Sequence, residues 1–249
     1  MNMGTATYND THRRAEFLQA IGGPTSLYHT NFAVTVTATQ TIPAATSAGH
    51  SAILAGRGCS LLGGLDFYFF DNYFRTTVLP AVGGNPTYFV IFLMRDVVFY
   101  QGTKANCCIL GYQGAFGSPV QTYSTTDYDT TGRFGSGIVN VSVAAHEVGE
   151  WLDDPLATNP TPPWGHIGHV RGCQGNWEVG DPLTGTDFPA ITMSNGVTYN
   201  PQENAFWSWF YSADHDPFFQ NMTAGGKYSM NGTFGGPSKV CPRGGTFRN

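Results

Sequence analysis

The chain has 249 residues, enough for one large domain or two small ones; only 12% of them are charged, while 14% are aromatic. Three lysines and a net charge of −5 leave no basic surface to attract nucleic acid or an acidic membrane. The 32 glycines and 15 prolines fall short of a low-complexity composition and predict a loop-rich globule with many turns.

Thr11 to Ile21 reads as a short amphipathic helix ended by Gly22-Gly23-Pro24. Thr30 to Ile42 alternates apolar and polar residues, the pattern of a strand with one wet face. Thr46 to Gly64 is rich in small residues and gives no clear element. Leu65 to Leu79 carries Phe67, Phe69, Phe70, Tyr73 and Phe74 and predicts a buried helix stopped by Pro80, with its aromatics as core. Tyr88 to Tyr100 is the strongest strand pattern, a near-continuous apolar run expected at the centre of a sheet. Arg95 and Asp96 interrupt it, which excludes a membrane span and predicts a bend or two strands end to end. Ile109 to Ala115 predicts a short strand. Pro119 to Tyr128 predicts a polar strand near a sheet edge, where an extended peptide could dock by strand addition.

The next stretch organises the rest. Val143 to Asp154 reads as one helix, capped by Asn140 or Ser142 and closed by Pro155. His146 and Glu150 are four apart, so both side chains lie on one helix face, the spacing that presents two ligands to one metal ion. Glu147 stands beside the first ligand, where a zinc hydrolase carries its general base. The usual motif is His-Glu-x-x-His; here the last position is a glutamate, whose oxygen zinc also accepts. Glu147, Glu150, Asp153 and Asp154 crowd this helix, the last two at its negative C-terminal end, and such a group calls for a cation. The alternative is an exposed acidic face, against which stand the flanking apolar residues Val143, Ala144, Val148, Trp151 and Leu152.

A third ligand must come from elsewhere, leaving one position for water. Glu178 is the scarce glutamate downstream, with His166 and His169 as alternatives. These two histidines with Cys173 form a rival structural zinc site, or they simply satisfy loop backbone. Asp154 and Asp181 read as outer groups that hold ligands or loops. Asn195 to Pro201 predicts a turn and strand, Glu203 to Tyr211 an aromatic core or pocket wall, and the residues from Asn221 onward an irregular tail.

The five cysteines are Cys59, Cys107, Cys108, Cys173 and Cys241, an odd count that leaves a thiol unpaired within the chain. Adjacent Cys107 and Cys108 are expected to reach different partners, with Cys173 and Cys241 as candidates. Few lysines, many small polar residues and possible disulfides favour an extracellular setting. The start Met1-Asn-Met-Gly-Thr shows no signal peptide, so one is expected to have been removed or to precede the sequence. Asn9, Asn140, Asn221 and Asn231 fit the glycosylation pattern.

Several motifs in order resemble those of the exordium, or phosphate-induced, secreted proteins of plants, and more closely their bacterial relatives. They are His146-Glu-Val-Gly-Glu150, Asp154-Pro155, Trp164, Glu178-Val-Gly-Asp181 and Asn195-Gly-Val-Thr-Tyr-Asn200, joined by Asn106-Cys-Cys-Ile-Leu-Gly111 and Gln121-Thr-Tyr123. The resemblance covers about residues 89–211. It implies a secreted α+β protein with a zincin-like fold, a mixed sheet beside a metal-bearing helix, and by position it favours Glu178 as third ligand. On that basis the expectation is one domain over residues 1–249, with a helix and strand region at 1–60, a metal-site core at 88–211 and an irregular tail at 221–249.

Two functions follow. The first is a zinc-dependent hydrolase acting on peptides or proteins, with His146, Glu150 and Glu178 as ligands and Glu147 as the base. Two carboxylate ligands would make zinc less electrophilic and the enzyme sluggish or narrow. The second is a secreted binding or structural protein that uses its metal as a staple. Glu150, Asp153, Asp154, Glu178 and Asp181 make calcium conceivable there, with His146 arguing against it.

Overall fold

The computed structural model describes residues 6–22, 26–37, 39–55, 58, 60–165, 173–211 and 227–236. Helix α1 (Tyr8–Glu16) starts at Thr7, whose hydroxyl accepts the Asp10 amide, and runs into a π turn at Leu18–Gly22. The strand expected at 30–42 is absent: residues 30–37 and 39–42 take no regular structure, and Val34 and Val36 stand in solvent. Alternation supplies the face of a strand but not the partner its backbone needs, and no paired strand of the described residues includes this stretch.

The unassigned stretch that follows holds β1 (Ser51–Ala55), paired antiparallel with β2 (Leu61–Asp66). Asp66 accepts the Phe69 amide at 2.9 Å and so caps α2 (Phe67–Tyr73). The helical path continues through a π turn, Phe74–Val78, into α3 (Leu79–Ala81). Pro80 therefore lies inside this path rather than ending it, at a first-turn position where its missing amide is tolerated.

The apolar run divides at Asp96, whose φ of 56° turns the chain, into β3 (Val90–Arg95) and β4 (Val97–Tyr100). The two halves join different sheets. β4 pairs parallel with β2 and antiparallel with β5 (Cys107–Ile109), completing the order β1-β2-β4-β5. β3 pairs parallel with β7 (Gln121–Tyr128), which pairs antiparallel with β6 (Gly111–Phe116) in the order β3-β7-β6. Two expectations are thereby corrected. The apolar strand β3 is an edge, with Ile91 and Leu93 exposed, and the polar strand β7 is central, with Ser124, Thr125, Thr126 and Asp127 at 0% exposure. Sequence periodicity reports the faces of a strand but says nothing about its order in a sheet.

Helix α4 (Ser142–Asp153) packs on β7 and β6. Hairpins β8 (Pro160–Gly165) with β9 (Cys173–Asn176), and β10 (Ile191–Thr192) with β11 (Thr198–Tyr199), precede α5 (Trp207–Tyr211). The whole is a mixed α+β fold of several small sheets and few helices. One core joins Phe70, Phe74, Val78, Leu79, Met94, Phe99 and Tyr123; the other joins Trp164, Trp177, Val179, Leu183, Ala205, Trp209 and Phe210. No helix among the described residues is long and apolar enough to cross a membrane. Cys107 and Cys108 are bonded to each other, with their Cα atoms 3.0 Å apart, against the expectation of separate partners: the cis peptide between them brings the two side chains together. Cys59 and Cys241 lie outside the described residues.

Asp127 gives a test of this arrangement. Burial pushes its carboxyl up to about 7, with Asp129 and Asp96 reinforcing and the Val97 amide opposing. An acid raised above its unfolded value of about 3.9 stabilises the fold fully below that value, and the contribution is lost as pH rises through the folded value. Urea stability is therefore expected to fall from about pH 4 to about pH 7. Asp127→Asn should make that decline shallower, leaving the part due to the other acids that burial raises, among them Glu203 at about 7, Glu16 at about 8 and the glutamates facing α4. Parallel pH profiles for the two chains would contradict this assignment.

Candidate metal centre

The face that α4 buries is not apolar throughout. Val143 and Ala145 share it with Glu147, Glu150 and Asp153, all below 5% exposure among the acids. The helix starts without a side-chain cap: Ser142 bonds back to Val139, and the Asn140 carboxamide oxygen accepts the amides of Val141 and Asn200. Its position therefore comes from packing on the sheet rather than from its own ends.

His146, Glu147 and Glu150 each place a ligand atom within 4.8 Å of the others. The Nε2 of His146 lies 2.9 Å from Glu150 Oε1 and 3.5 Å from Asp181 Oδ1. Asp181 opens a short 3-10 turn after β9, and its other oxygen accepts from Gln174 at 2.7 Å. Glu178, between β9 and that turn, accepts from Asn176 and lies within hydrogen-bonding reach of Glu150. The Gly180 amide donates to Glu150 Oε1 at 3.2 Å. The structure thus brings together one histidine and four acids from two segments far apart in sequence.

Gln202 fixes the histidine. Its Nε2 donates to the Gly180 carbonyl at 2.7 Å, and its carboxamide lies against His146 Nδ1, with Nε2 at 3.0 Å and Oε1 at 3.2 Å. The other ring nitrogen, Nε2, faces the acids. Two glycines make room. A Cβ on Gly180 would stand 2.6 Å from His146 Nδ1, and one on Gly111 of β6 would stand 2.6 Å from Glu147 Oε1. Neither glycine nor Gln202 was singled out from the sequence. The signal that could have found the glycines is the set of motifs, since Gly111 ends the Asn106–Gly111 motif and Gly180 lies within Glu178–Asp181, while Gln202 lies just past the Asn195–Asn200 motif.

Burial pushes Glu147, Glu150 and Glu178 well above the usual carboxylate range. The next cause is mutual repulsion: Glu150 acts on Glu147 and Glu178, and Asp181 acts on Glu150, while His146 pulls Glu147 and Glu178 the other way. Glu147 Oε2 is buried without a hydrogen-bond partner. A divalent cation would reverse the sign of the repulsion, and the donor set, one imidazole nitrogen with carboxylate oxygens, is one that zinc accepts.

The remaining sequence candidates stand apart from this group. Asp154 uses both oxygens on the loop that follows the helix, accepting from Thr158 and Asn159 at 2.9 and 2.8 Å. His166 and His169 lie outside the described residues, so the rival site with Cys173 does as well. No protein-family model, curated protein or solved structure matches the chain.

The support around His146 can be tested. Gln202→Ala frees the ring, and Gly180→Ala forces it to move. Each is expected to weaken zinc binding by about 10- to 100-fold in a competition titration with a coloured chelator. Unchanged affinity in both would show that the ring needs no such support.

Proposed function

We propose that the protein is a secreted, zinc-dependent hydrolase of peptides or proteins. The observation that carries this reading is Glu147: a carboxyl buried to 3% exposure, with one oxygen unpartnered, grouped with His146 and Glu150 on one helix. A purely structural site has no use for it. His146 and Glu150, with Glu178 and Asp181 beside them, would hold the ion, and Gln202 would keep the imidazole oriented towards it. Zinc supplies a Lewis acid that polarises a carbonyl and lowers the pKa of water. Glu147 takes the proton from the attacking water and returns it to the leaving amine.

The sheet supports a peptide substrate. β6, not β7, is the edge strand beside α4. The Asp127 amide donates to the Leu110 carbonyl, so along β6 the backbone groups of Gly111, Gln113 and Ala115 face away from β7. An extended peptide laid along that edge would pass close to Glu147, which Gly111 touches. A small mixed sheet with an antiparallel edge strand, lying on a helix that carries His-Glu-x-x-Glu, also supports the zincin-like frame and the resemblance to exordium-like proteins.

The carboxyl count favours a second reading, in which a non-catalytic secreted protein holds its ion, calcium included, as a staple. One variant separates the two. Glu147→Gln is expected to bind as much metal as the native chain and to lose about 10²- to 10⁴-fold in cleavage of a fluorogenic peptide library. Full activity in Glu147→Gln would rule out the proposed base. A metal-loaded native chain that cleaves no peptide would favour the staple.

A further inference from the structure

A second group of metal-binding side chains lies where α1 meets the C-terminal end of α4. His12 and Glu16 are four apart on α1, and Asp153 is the last residue of α4; one ligand atom from each lies within 4.8 Å of the others. All three are buried, at 2%, 0% and 4% exposure. The protein satisfies only part of their bonding capacity. His12 Nε2 lies 3.2 Å from the Asn204 carbonyl, which can only accept, so Nε2 carries the proton and Nδ1 keeps the lone pair. Glu16 Oε1 accepts the Trp207 amide at 2.6 Å, while Oε2 is buried with no hydrogen-bond partner. Asp153 Oδ1 faces the Arg13 guanidinium, while Oδ2 is buried with no hydrogen-bond partner.

One imidazole nitrogen and two carboxylate oxygens are therefore left over, in a place from which water is largely excluded. Leaving two buried carboxylate oxygens unbonded is costly, and Arg13, whose guanidinium contacts Asp153 Oδ1 and whose charge also acts on Glu16, hydrogen-bonds neither of them. We propose that His12, Glu16 and Asp153 form a second metal site, for zinc, which pins α1 to the C-terminal end of α4. The nitrogen ligand selects against calcium and magnesium, and the neutral imidazole with two carboxylates matches zinc. The role is structural: all three side chains are buried, and Asn204 and Trp207 tie the site to the chain just beyond Gln202. It does not depend on Glu147 or on any catalytic activity.

Counting zinc on the full chain tests this. Protein stripped by chelator, reloaded with zinc and analysed by native mass spectrometry is expected to carry two ions. Glu150→Ala and Glu16→Gln should each carry one, and the double variant none. Glu16→Gln keeps an acceptor for the Trp207 amide, and His12→Gln, which keeps a donor for the Asn204 carbonyl, is the second variant should the first not fold. Zinc should raise the Tm of Glu150→Ala but not that of the double variant. A single ion on the native chain, lost in Glu150→Ala and kept in Glu16→Gln, overturns the second site and leaves the proposed function standing. A single ion lost in Glu16→Gln and kept in Glu150→Ala supports the second site and removes the catalytic one. Even if neither α1 variant folds, the count on Glu150→Ala decides: one ion supports the site and none overturns it.

Discussion

The fold is built around the burial of acidic side chains against the inner face of one helix. Glu147, Glu150, Glu178 and Asp181 meet a single imidazole in a space that excludes most water. Burying an ionised carboxyl without a counter-charge is among the most expensive arrangements a protein can hold. The surroundings show how closely this one is fitted. Gly111 admits Glu147 against the sheet, Gly180 admits the imidazole, and Gly149 admits Asn204 against the helix. Gln202 and the Gly180 amide then supply the hydrogen bonds that hold the ring and Glu150 in place.

Stability must come from elsewhere, and it does so on both sides. The cluster of Phe70, Phe74, Phe99 and Tyr123 lies on the side of α2 and the paired sheets; that of Trp164, Trp177, Trp209 and Phe210 lies on the side of β8 and α5. Each deeply buried aromatic removes a large apolar surface from water, on the order of 150–250 Å². Two apolar bodies thus flank a polar seam made of α4, the inner residues of β7 and the 202–204 segment. This division explains why so acidic a helix can sit inside the molecule at all.

Much of the seam was legible in the sequence, and the reasons are local. The helix Val143–Asp154 follows from its periodicity and from Pro155, and the structure gives Ser142–Asp153. The break at Arg95-Asp96 was visible because a charged pair interrupts an apolar run. Glu178 was expected near His146 as the scarce downstream glutamate and from a motif resemblance, and Asp181 as an outer group holding ligands or loops, neither from any rule of chain geometry. What was illegible is non-local. Nothing along residues 30–42 says that no strand will lie beside them, and nothing in the polar pattern of 121–128 says that α4 will cover it. Gln202 has no distinguishing mark until the fold carries it to His146, and the pairing of His12 with Asp153 spans most of the chain.

The order of these pieces along the chain has a consequence for how the protein is made. Synthesis runs from the N-terminus, so α4 leaves the ribosome before residues 178–181, which supply its facing acids, and before 202–207, which hold both His146 and α1. Until then its acids remain hydrated and its apolar residues have only the sheet to cover them. The polar seam is therefore a late event of folding, dominated by contacts distant in sequence and slow to close. A nascent chain halted after α4 would hold the first aromatic core, and would carry His146, Glu147 and Glu150 without the residues that face and hold them.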